Sequence, residues 1–83
     1  MKPEQSKMAR AALGWSLSDL AQYAELGRAT VARFELGEGV ALASIDAMRA
    51  ALERGGVDFI SAGATVKDGK GPAGVGVRLR GIS

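Results

Sequence analysis

The sequence predicts a mainly α fold, a bundle of four short helices followed by a small two-stranded β element. Three observations lead there. Apolar residues recur at spacings of three and four through the first 55 positions, the helical period. Glycines at 14, 27, 37, 55 and 56 divide that stretch into segments of helix length. Beyond Gly56 the period changes to two, the period of a strand.

The first helix is expected to begin at Pro3, whose fixed φ suits a first helical position, with Glu4 in its first turn, and to end near Leu13 and Gly14. Met8, Ala12 and Trp15 give it an apolar face at i, i+4 and i+7. Ser16 then caps a second helix from Leu17 to about Ala24, and Asp19 stands at the third position of a capping box, where glutamate is usual.

Two short helices joined by a tight turn follow from the stretch Leu17 to Gly37. Leu17, Leu20, Ala21 and Ala24 form one stripe, Leu26 sits in the turn, and Val31 and Phe34 form a second stripe. Gly27 opens the third helix, Arg28 to Leu36, without a side-chain cap, and Gly37 stops it. Arg28, Ala29, Ala32 and Arg33 are left facing outward. A helix that points arginines at solvent, braced by a crossing helix behind it, has the geometry that enters the major groove of DNA.

Residues 37–43 read as a loop or the fraying start of a fourth helix, which carries Ile45, Met48, Ala51 and Leu52 on one face and Asp46, Arg49 and Glu53 on the other. Val57 to Ile60 is a short strand candidate. Val75, Val77 and Leu79 alternate with glycine and arginine through Arg80 and offer it a partner. The glycine-rich stretch between them contains a turn signal at Asp68 and Gly69. Trp15, Phe34 and Phe59 are core by pattern.

Composition excludes several function classes. The chain has 83 residues, no cysteine and no histidine, so disulfides, thiolate nucleophiles, the usual zinc ligands and a neutral-pH proton shuttle are all missing. Carboxylates are scattered on helix faces, and no active site assembles from them; no enzyme activity, cofactor or metal is expected. Gly69, Gly71 and Gly74 match a dinucleotide-binding spacing formally, but Pro72 follows the second glycine and no strand and helix frame it. The N-terminal residues lack the apolar run of a secretory leader, and no window approaches the roughly 20 apolar residues of a membrane span. A cytoplasmic location and no membrane partner are expected.

Net charge is +2, but residues 1–60 hold seven basic and eight acidic side chains, and residues 61–83 hold four and one. A body this close to neutrality argues against strong sequence-independent phosphate binding, which depends on clustered lysine and arginine. A DNA partner therefore needs a local basic surface, to which Lys67, Lys70, Arg78 and Arg80 can add.

Taken in order, the phrases ARAALGWSLSDLA, the turn Ala24 to Gly27, RATVARFELG and ALERGGVDFI resemble the phage-repressor and Cro type of helix-turn-helix, the xenobiotic-response-element (XRE) family of transcriptional regulators. The closing GVRLR is similar to that of a short bacterial form with a C-terminal β element. The resemblance implies a repressor-like bundle, with residues 1–56 as a helix-turn-helix DNA-binding domain and residues 57–83 as a β element with a glycine-rich loop, part of the same compact unit. It further implies base contacts from Arg28, Ala29 and Arg33, and phosphate contacts from Ser16, Leu17 and Ser18 at the start of the second helix. Thr30 either donates to a phosphate or caps and packs. Arg10 and Glu35 are spaced to meet between helices one and three, where the resemblance implies a structural ion pair.

Three departures from the family pattern matter. Leu17 stands where glutamine is frequent, Glu25 replaces a turn glycine, and Gly27 replaces a serine or threonine cap. In a left-handed conformation Glu25 is mildly strained. The expected function is sequence-specific binding of double-stranded DNA as a homodimer. The alternative is a protein-interaction module, an antitoxin or adaptor with a protein partner, for which Leu17 and Leu36 are the surface candidates.

Overall fold

The computed structural model describes residues 1–60 and 76–79 of the chain. Helices α1 (Pro3–Leu13), α2 (Leu17–Ala24), α3 (Arg28–Glu35) and α4 (Leu42–Arg54) are followed by strands β1 (Val57–Ile60) and β2 (Gly76–Leu79). Among the described residues the sequence therefore forms a mainly α fold of four helices with one small antiparallel sheet.

The boundaries have local causes. Pro3 opens α1, where its missing N–H costs nothing, and the Lys2 amide donates to Gln5 Oε1 at 2.7 Å. Gly14, at φ 70°, ends α1 in the left-handed conformation; the Trp15 amide then donates to the Arg10 carbonyl at 2.8 Å. At the start of α2 the Asp19 amide donates to Ser16 Oγ at 3.0 Å, and the Ser16 amide donates to Asp19 Oδ2 at 2.9 Å. The aspartate box is thus closed in both directions.

The turn between α2 and α3 pivots on Glu25, the one non-glycine residue at positive φ among those described (φ 58°, ψ 43°). Leu26 follows by donating its amide to the Ala21 carbonyl at 2.8 Å. Gly27 caps α3 with extended backbone and no side-chain bond. The third helix is one residue shorter than expected, because Leu36 is its C-cap and not its last turn. Glycine at position 37 takes φ 88°, and the next amide, of Glu38, closes on the Arg33 carbonyl at 3.0 Å. Ala41 is the N-cap of α4, so residues 37–41 form the connection.

Ala9, Leu20, Ala21, Ala24, Val31, Phe34, Met48, Ala51, Leu52 and Val57 make the buried core, contributed by all four helices and β1. Trp15, Leu17, Leu26, Ile45, Phe59 and Val77 pack partly buried around it. One expected face is corrected. Met8 is exposed and so is Ala12, whereas α1 turns Gln5, Ser6 and Ala9 inward. The reason is chemical: Gln5 and Ser6 hydrogen-bond within the fold, and among the described residues no buried side-chain polar atom lacks a partner.

β1 and β2 pair antiparallel with Val57 opposite Leu79, Asp58 opposite Arg78 and Phe59 opposite Val77. β2 lies against α1, and β1 packs against α1 and α4. Across the strands Arg78 Nε stands 3.6 Å from Asp58 Oδ2, and the Arg49 guanidinium lies 5.2 Å over the Phe59 ring. The expectations for Val75, Arg80, Lys67, Lys70 and the glycine-rich connection fall outside the described residues.

Candidate nucleic-acid interface

The orientation of α3 is set by a polar lock on its inner face. Arg10 of α1 donates from Nε to Glu35 Oε2 at 2.8 Å and from Nη2 to Oε1 at 2.7 Å, a two-point clasp between guanidinium and carboxylate. Ser6 Oγ adds a third bond to Glu35 Oε2 at 2.6 Å, and Arg10 Nη1 donates to the Trp15 carbonyl at 3.1 Å. The Glu35 side chain is 5% exposed and that of Arg10 is 20% exposed. Burial pushes the Glu35 carboxyl up, but the hydrogen bonds from Arg10 and Ser6, with the charges of Arg10 and Lys7, outweigh it and hold the group below the usual range. The same hydrogen bond to Glu35 raises Arg10 against its partial burial.

With Glu35, Phe34 and Val31 facing in, Arg28, Ala29 and Arg33 are exposed on the opposite side of α3. Neither arginine side chain forms an ion pair or hydrogen bond among the described residues; the pairs there are Arg10 with Glu35, Arg49 with Glu53 and Arg78 with Asp58. Thr30 is half-buried on the flank of the helix, and Ala32, expected to face outward, is half-buried too. At the start of α2, Ser16 and Ser18 are exposed and Leu17 is half-buried against the core, so these residues stand at a helix end whose amides carry partial positive charge. Arg78 is exposed but engaged by Asp58.

Sequence reasoning missed Ser6, whose partner Glu35 lies 29 residues away on α3. It also missed Lys7 and the joint role of Ala32 and Leu36. With Leu17, Arg28 and Glu35 these line a hollow of about 300 Å³ between α1, the first turn of α2 and α3. Leu36 is 74% exposed there, in agreement with its reading as a surface residue.

Among the described residues no three His, Cys, Asp or Glu side chains gather as a metal site, and no helix is long and apolar enough to cross a membrane. No curated protein matches the chain. Residues 7–59 match the family model described as Helix-turn-helix, a span that runs from α1 through α4 into β1. That match covers well over half of the 83 residues and includes the turn, the exposed helix and the lock behind it; the chain belongs to the helix-turn-helix family of the XRE type, a family of DNA-binding transcription regulators.

Proposed function

We propose that the protein is a sequence-specific transcriptional regulator that binds double-stranded DNA as a homodimer, with α3 of each subunit in the major groove of one half-site, and that it has no catalytic activity. The observation that carries this reading is the pair of exposed guanidiniums of Arg28 and Arg33, without a partner among the described residues, on a helix whose other face is locked by Glu35. Arginine suits guanine, because two parallel donors meet O6 and N7 at once, a contact that contributes about 1 to 3 kcal/mol of base discrimination. Ala29, between them on the same surface, leaves room for a base edge.

Leu17 and Ser18 present backbone amides and Ser16 its hydroxyl to one phosphate, and Thr30 presents a hydroxyl to another. Two-fold symmetry then places half-site centres about 34 to 36 Å apart. The dimer contact is assigned to the C-terminal strands or α4, where Leu79 is 45% exposed and a small chain gains from covering it.

The test is binding to selected duplexes across a salt series. Specific binding should weaken steeply with salt, and Arg28→Ala combined with Arg33→Ala should abolish base preference while leaving the fold intact. Binding that ignores salt, or survives the double substitution with its preference unchanged, overturns the reading. A protein-interaction module is the second reading, favoured by the exposure of Leu36 and Leu42 at 74% and 72%, at the end of α3 and the start of α4.

A further inference from the structure

The hollow beside Arg28 has an unusual composition for a surface expected to meet nucleic acid. Leu17, Ala32 and Leu36 give it aliphatic walls, and Lys7 and Arg28 supply its cations. Glu35, the one acid in its lining, is already bound by Arg10 and Ser6. Positive charge is therefore available along a hydrocarbon surface that offers no side-chain amide or hydroxyl.

Its aliphatic walls, Leu17, Ala32 and Leu36, offer a base no hydrogen bond and can meet it only through apolar contact. The one apolar feature that base pairs display in the major groove is the 5-methyl group of thymine. We propose that this hollow is a thymine-reading subsite: the methyl group of a thymine next to the base pair contacted by Arg28 seats among Leu17, Ala32 and Leu36, while Lys7 faces a neighbouring phosphate. The inference rests on the reading that α3 enters the major groove.

Three points on this chain support it. Ala32 is four residues beyond Arg28 and Leu36 eight beyond, so both lie on the side of α3 and its C-cap that Arg28 occupies. Leu17 is half-buried against the core at the first turn of α2, so its hydrocarbon is held as a fixed wall of the hollow. Leu36 holds its side chain in water at 74% exposure, so covering it removes apolar surface from solvent.

The experiment uses the full chain and duplexes recovered by selection. Each thymine of the preferred site is replaced in turn by deoxyuridine, which removes the methyl group and nothing else, and affinity is followed by fluorescence anisotropy. One thymine per half-site, adjacent to the pair contacted by Arg28, should lose about four-fold in affinity, the value of one buried methyl group. That loss should shrink in Leu36→Ala, an exposed position whose truncation leaves folding alone, and in Leu17→Gln. If every replacement in the parent stays within experimental error, or the loss persists unchanged in both variants, the subsite is refuted and the major-groove reading stands. If the chain selects no duplex at all, the major-groove reading fails first and the subsite with it.

Discussion

Truncating Arg10 to alanine tests the lock behind α3 most directly. The substitution removes the two bonds to Glu35 and the bond to the Trp15 carbonyl, and it leaves a carboxylate whose side chain is 5% exposed with Ser6 as its remaining hydrogen-bond donor. Removing one partner of a buried pair costs about 3 to 5 kcal/mol, because the other charge stays desolvated. Arg10 is itself 20% exposed, so water reaches the vacated space and the lower end applies, about 3 kcal/mol. For a domain of this size each kcal/mol moves the melting temperature by about 4 to 8 °C, so a fall of at least 12 °C is expected. Thermal unfolding followed by circular dichroism measures it. A companion variant, Arg10→Met with Glu35→Leu and Ser6→Ala, removes both charges and the buried hydroxyl that bonds Glu35 and should recover most of the loss. A melt of Arg10→Ala that overlays the parent refutes the claim that this pair orients the helix.

Two further perturbations follow from the geometry. Because the native Glu35 carboxyl is held below its usual range, the stability it contributes is fully present above the unfolded-state value of about 4.3 and is lost as pH falls through the lower native value; acid titration of the melting temperature should show this loss below about pH 4, and a Glu35→Gln variant should lack it. Glu25 occupies the left-handed region at φ 58°, a conformation that costs a side-chain-bearing residue about 1 kcal/mol, so Glu25→Gly should raise the melting temperature by a few degrees, and an unchanged or lower value removes strain from the account of the turn.

What could be read in the chain, and what could not, divides along physical lines. Helix ends were legible because their causes are local: Pro3, the Ser16 and Asp19 box, the uncapped start at Gly27 and the stop at Gly37 each act within a few residues. The antiparallel strand pair was legible from the change of period after Gly56. The face of α1 was not. Hydropathy placed Met8 and Ala12 inside, but the fold buries Ser6 because its partner lies 29 residues away on α3, a contact that no local pattern encodes. The hollow beside Arg28 was illegible for the same reason, since its walls come from three separate helices. The exposure of Arg28 and Arg33, in contrast, followed from the 3.6 period alone.

The chain has a single tryptophan, and its position gives it a further use. The Trp15 indole stacks on Tyr23 of α2 with ring centroids 4.5 Å apart, while a Cβ built on Gly55, just beyond α4, would stand 3.0 Å from its Cη2 atom. Its own carbonyl is held by Arg10 of α1. The indole therefore lies between α2 and the glycine that ends α4, while α1 holds the backbone of the same residue. Its emission should report the separation of any one of these helices, so that partial opening of the bundle and complete unfolding carry distinct optical signatures without an added label.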